Sequence, residues 1–146
     1  MPIRCEVVSV ERTVFSDNVD MVIAPGIDGE MGILPRHAPL MTALKVGELV
    51  IKRAGQPDLY LAIGGGFMEV RPDRVTILAD SAEHSDEIDI ARAEAARERA
   101  EKLLQERPAG VDLRAVESAL RRSQLRLKVA GRRHVRKRGQ RVEGGE

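Results

Sequence analysis

The side chains best placed for chemistry lie between residues 89 and 126: Asp89, Arg92, Arg99, Arg122 and Arg126. At about 100° per residue, Asp89, Arg92 and Arg99 share one stripe of a helix, and Arg122 and Arg126 share a stripe of a second helix further on. Folded together on those sides, the two helices would bring several guanidiniums into one place. Such a cluster repels itself unless an anion sits within it, and the planar fork of arginine suits phosphate. The plainer reading is a solvated, charged helix face, which accounts for most helical arginines.

Other residue types form no reactive set. His37, His84 and His134 are widely spaced, and with the single cysteine, Cys5, they make no zinc pattern. Ser9, Ser81, Ser85 and Ser118 lie in no nucleophile-elbow context. Gly64-Gly65-Gly66 lies between two strand-like runs and not before a helix, so it reads as a bulge or a close backbone approach and not as a phosphate loop. No catalytic constellation and no metal site is expected.

The elements that must carry these residues fall into two kinds. From residue 3 to about 80 the pattern is of short strands: Ile3, Cys5 and Val7 alternate with Arg4 and Glu6, and residues 21–24, 48–52, 58–63, 67–70 and 75–79 are further β-rich runs separated by Gly, Pro and Asp turns. Residues 29 to 40 read as a rigid surface loop, with Gly29 and Gly32 permitting turns and Pro35 and Pro39 refusing ladder hydrogen bonds. An antiparallel β-sandwich over 1–84 follows. Residues 86–107 then hold no Gly, Pro or aromatic residue and are rich in Ala, Glu and Arg, with Ala93, Ala96, Ala100 and Leu103 at helical spacing. Ser85 is the expected N-cap. Pro108-Ala109-Gly110 breaks this helix, Asp112 caps a second one, and Gly131 ends it. The result is an antiparallel helical hairpin over 85–131 with an alanine-rich seam, which buries little area and favours detachment.

Bulk properties narrow the class. A chain of 146 residues with net charge +1 creates no global field toward nucleic acid or membrane. Its aromatic residues, Phe15, Tyr60 and Phe67, are too few and scattered for a base-stacking surface. No apolar run reaches the roughly 20 residues of a membrane span, and the start has no signal-peptide core, so a cytosolic, soluble chain is expected. Residues 132–146 form a basic tail with Arg132, Arg133, Arg136, Lys137, Arg138 and Arg141, expected to be disordered. That tail supports an alternative reading, a small β-domain module that binds nucleic acid or an anionic surface.

The stretch Gly-Glu-Met-Gly-Ile-Leu-Pro-Arg-His-Ala-Pro-Leu at 29–40 closely resembles a signature of the epsilon subunits of rotary F-type ATP synthases. Ile63-Gly64-Gly65-Gly66-Phe67-Met68-Glu69-Val70 and Ile77-Leu78-Ala79-Asp80 are similar to two further hallmarks of that family, and the order of parts agrees up to about residue 130. The resemblance implies a non-catalytic central-stalk subunit that joins gamma to the c-ring and couples proton flow to ATP synthesis. It would need no cofactor, would expect no nucleic-acid partner, and would meet the cytoplasmic side of the cell membrane only through the complex. It also implies that Glu30, Arg36 and His37 face the rotor. Ile88-Asp89-Ile90-Ala91-Arg92-Ala93 resembles the motif with which some bacterial members bind ATP without hydrolysing it. By that resemblance Glu83, Ile88, Asp89, Arg92, Ala93, Arg99, Arg122 and Arg126 would bind ATP as a regulatory ligand. Asp89 and Glu83 would accept from the adenine amino group or the ribose hydroxyls. The hairpin would be an inhibitory arm that, when extended, meets the alpha and beta catalytic subunits.

Overall fold

A computed structural model describes residues 1–133. The chain divides into two compact units, Met1–His84 and the residues from Ser85 onward.

The first unit holds eight strands: β1 (Ile3–Ser9), β2 (Thr13–Val19), β3 (Met21–Gly26), β4 (Gly29–Ile33), β5 (Leu40–Lys52), β6 (Leu59–Arg71), β7 (Arg74–Ala79) and β8 (Ala82–His84). Their lateral order is β2-β1-β7-β6-β5-β3-β4, with β8 paired to β6. All pairs are antiparallel except β1–β7, which runs parallel with Cys5 opposite Val75. Parallel neighbours need a long crossover, and here five other strands supply it.

Alternation sets the core. Ile3, Cys5 and Val7 of β1 are fully buried, and Leu49, Ile51, Leu61, Ile63 and Ile77 close over them from other strands. Arg4 and Glu6 of β1 face outward, and Arg4 Nη2 donates to Ser16 Oγ on β2 at 2.7 Å. β5 and β6 are each 13 residues long. β6 pairs with β7 over its second half, up to Gly66, and with β8 over Leu61–Ile63. The change of partner falls on the triple glycine. Gly64 N–H donates to Ser81 O and Asp80 N–H to Gly65 O, both at 2.9 Å. Gly65 and Gly66 have φ of +96° and +140°, and a Cβ on Gly66 would collide with Leu78 O and come within 2.9 Å of Ala79 Cα. The glycines thus serve a close backbone approach, as their strand-flanked position suggests.

The first unit differs from the sequence expectation in several places. The 29–40 stretch is not loop throughout: Gly29–Ile33 is strand β4, paired antiparallel with β3, because Met31 and Ile33 turn inward and satisfy a strand period. β2 and β8 are additional. The runs at 58–63 and 67–70 are one strand continued through the glycines.

Burial also fixes the state of Cys5. Loss of solvation pushes its thiol pKa up from 9.0 to about 12. The folded state therefore favours the protonated thiol, and that stabilisation is complete below pH 9 and lost as pH rises from 9 toward 12. Wild type should lose stability relative to Cys5→Ala across that window in denaturant titrations. A thiol reagent should label the native chain negligibly at neutral pH and the denatured chain at its one cysteine. Rapid labelling of native protein would contradict the buried placement.

In the second unit a 3-10 turn, Ser85–Glu87, leads into α1 (Ile90–Glu106), and α2 (Leu113–Ala130) packs along α1. The N-cap of α1 is Asp89, not Ser85: its carboxylate accepts Arg92 N–H at 3.1 Å. Ile88 and Ala93, at the two positions of a hydrophobic staple, are 3% and 0% exposed. That burial selects the later cap. α1 ends at Arg107, which has φ of +44° and lies just before Pro108. Asp112 caps α2 by accepting from Arg114 N–H at 3.0 Å and Ala115 N–H at 3.4 Å. Gly131 caps the end of α2 in right-handed geometry, φ −61°. Arg132 and Arg133, counted with the tail on composition, are helical, and Arg133 is hydrogen-bonded within this unit. The remainder of the tail, 134–146, lies outside the described residues.

Candidate functional site

The first candidate site is at one end of the sandwich. β4 delivers the chain at buried Ile33 to an exposed turn, in which His37 N–H donates to Leu34 O at 3.2 Å. Arg36 has φ of +65°, unusual for a side chain with a Cβ, and its N–H donates to Pro72 O in the β6–β7 turn at 2.9 Å. His37 Nδ1 lies 2.7 Å from Ala38 O. Arg36 and His37 therefore share one braced turn, with Arg36 exposed and His37 half-buried. Glu30 does not belong to that turn: it is exposed near the start of β4, opposite Pro25. At about 3.3 Å per residue, the strand carries it roughly 10 Å from Ile33.

Sequence reasoning passed over two neighbours of the turn. Leu34 and Met41 flank it and are 54% and 70% exposed. Both place exposed apolar surface beside the braced turn. The signal was present in the sequence, since both residues break the polar pattern expected of a loop.

The second candidate site is the hairpin. The short connection 107–112 makes α1 and α2 antiparallel. The buried strip of α1 runs through Ala93, Ala96 and Ala100, and that of α2 through Val116, Leu120, Ser123 and Leu127. At about 100° per residue, Arg92 and Arg99 lie roughly 70–95° to one side of the first strip, and Arg126 and Arg122 roughly 90–130° to the same rotational side of the second. Antiparallel pairing converts equal rotational sense into a common edge. Measured back from the connection, Arg92 is level with Arg126 and Arg99 with Arg122 to within about 3 Å at 1.5 Å per residue. Arg92, Arg99 and Arg122 are exposed and Arg126 is half-buried.

The other motif residues have structural duties. Ile88 and Ala93 are packing residues, and one carboxylate oxygen of Asp89 is engaged by the helix cap. Glu83 lies on β8 in the first unit, opposite Ala62, and is half-buried. Among the described residues, no group of three His, Cys, Asp or Glu side chains is placed to hold a metal ion. No helix among them is long and apolar enough to cross a membrane.

A β-sandwich that carries a braced end turn and is followed by a helical hairpin defines a two-part subunit class. Residues 2–85 match the family described as ATP synthase, Delta/Epsilon chain, beta-sandwich domain, and residues 86–131 match its long alpha-helix domain. The chain is 54% identical to the ATP synthase epsilon chain of Dehalococcoides mccartyi over 132 residues, covering 90% of this chain and 94% of that one. It is also 54% identical to that of Herpetosiphon aurantiacus over 136 residues, covering 93% and 99%. Among solved structures, a chain of the Euglena gracilis mitochondrial ATP synthase (OSCP/F1/c-ring, rotational state 1) is similar with a TM-score of 0.72 and 26% identity, over 82% of this chain and 75% of that one. The chain belongs to the delta/epsilon family of F-type ATP synthase, as an epsilon chain, a non-catalytic subunit of that complex.

Proposed function

We propose that the chain is a central-stalk subunit that joins gamma to the c-ring, so that proton flow through the ring is coupled to ATP synthesis in the catalytic head. The observation that carries this reading is the match of both parts to the delta/epsilon family, along nearly the whole length of the epsilon chains it resembles. The braced turn with Arg36 and His37, together with exposed Leu34 and Met41, is the surface best suited to the rotor. Glu30 offers a separate, neighbouring contact. Membrane association, on the cytoplasmic face, comes through the complex.

The hairpin is a regulatory arm. The α1 side of its seam is built on alanine, and at about 25 cal/mol per Å² that side holds less firmly than leucines would. Extended toward the alpha and beta subunits, the arm impedes ATP hydrolysis. ATP bound along the arginine edge, without being hydrolysed, favours the folded form, since a ligand shifts a population by its differential affinity. The common edge of Arg92, Arg99, Arg122 and Arg126 above the Asp89 cap supports a phosphate-binding role.

Deletion of residues 87–146 should raise the rate of ATP hydrolysis by the reconstituted complex while leaving its assembly intact. An unchanged rate in a complex that retains the truncated chain would refute the regulatory arm.

A further inference from the structure

Beyond α2, Arg133, which belongs to neither the family motif nor the arginine edge, makes an attachment of its own. Its Nε–H donates to Ser85 O, and its Nη2 donates to Ile88 O at 2.7 Å. Asp86 Oδ1 stands 3.8 Å from the same Nε. The side chain of Arg133 is 22% exposed and that of Asp86 is 62% exposed, so the carbonyls and not the ion pair hold the guanidinium.

The acceptors matter as much as the donor. Ser85 and Ile88 belong to the turn that opens the second unit, and both are buried, at 7% and 3% exposure. Their carbonyls precede the first hydrogen bond of α1, which Asp89 O accepts from Ala93 N–H. Ile88 O, outside the 3-10 turn, would otherwise need another donor away from water. The two bonds span 48 and 45 residues of chain, so they close the hairpin into a ring at its open end. One planar fork reaching two carbonyls is a geometry that lysine cannot copy.

We propose that Arg133 is a latch that ties the far end of α2 to the turn from which α1 starts, and that the hairpin opens at its base only when this latch is released. The α1 side of the seam is alanine, so the ring closure adds to the packing of α2 in restraining separation of the helix ends. The regulatory part of this inference rests on the mobile-arm reading above; the latch itself does not.

Hydrogen exchange on the full chain tests it. In Arg133→Ala, the amides of 85–89 and of 127–131 should exchange about tenfold faster or more, as expected for loss of charge-assisted hydrogen bonds. Amides near Ala100 and Leu120 should be unchanged. Arg133→Lys should give an intermediate acceleration and keeps the test valid if the alanine variant loses helical circular dichroism. Unchanged exchange at 85–89 in both variants, or uniform acceleration along the whole hairpin, would overturn the latch. In the reconstituted complex the alanine variant should hydrolyse ATP more slowly than wild type, because the freed arm extends more often. Faster exchange with unaltered hydrolysis would leave the latch standing and overturn its regulatory role.

Discussion

Replacing Gly66 by alanine should destabilise the sandwich by about 3 kcal/mol or more and lower its melting temperature by about 12–24 °C. Two independent costs act at this position. With φ at +140°, an L side chain is strained whatever the space around it, and the added Cβ would run into Leu78 O and crowd Ala79 Cα. Neither neighbour is a flexible side chain: both are backbone of β7, held by its pairing with β1 and β6. Relief therefore requires β7 to move from β6, which would break ladder hydrogen bonds at Gly66↔Ala79. Gly55→Ala is the control. Its φ is +72° but nothing lies within 4 Å of a Cβ there, so it should cost only about 1–2 kcal/mol for the left-handed backbone. Urea titration of both variants separates the collision from the backbone preference. Equal midpoints would mean that the close approach at Gly66 contributes nothing.

The second large effect concerns nucleotide. Isothermal titration of ATP into the full chain should show saturable binding, weakened about 100-fold or more in the Arg92→Ala, Arg126→Ala double variant. Each lost guanidinium–phosphate contact is worth about 1.5–3 kcal/mol, and tenfold in affinity corresponds to about 1.4 kcal/mol. These two residues lie on different helices at the same level of one edge, so a phosphate held between them needs both helices together. Arg126 is half-buried, so its loss also perturbs packing; Arg92 is exposed, and Arg92→Ala alone gives an independent reading. Wild-type binding that survives both substitutions would move the nucleotide away from this edge. No heat at millimolar ATP would leave an arm governed by rotation and partner contacts alone.

Both halves of the fold are legible in the sequence where periodicity is strong. Ile3, Cys5 and Val7 alternate because one face of β1 is sealed, and the change to Ala, Glu and Arg after Ser85 marks the helices. β2 is hidden because its middle, Ser16-Asp17-Asn18, is polar on both faces, as an edge strand permits. β8 has three residues, too few to show any period. In the 29–40 stretch the prolines dominate the local signal and conceal the strand before them. Ser85 and Asp89 are equally good caps by type; what decides between them is the burial of Ile88 and Ala93, a tertiary fact. The arginine edge follows from helical spacing alone once antiparallel pairing is assumed. The Arg133 attachment does not, because its acceptors are backbone carbonyls, which every residue carries and no sequence pattern marks.

β5 and β6 each run the full depth of the sandwich and pair with each other from Leu40↔Val70 to Ile51↔Leu59. β6 carries β7 at one end of this ladder and β8 at the other, while β5 carries β3. The two layers therefore cannot shear past one another without breaking bonds along this shared spine. A body built this way is torsionally stiff: a twist applied at one face is delivered at another instead of being stored as internal deformation. In the central-stalk role proposed above, such a part would act as a rigid coupling.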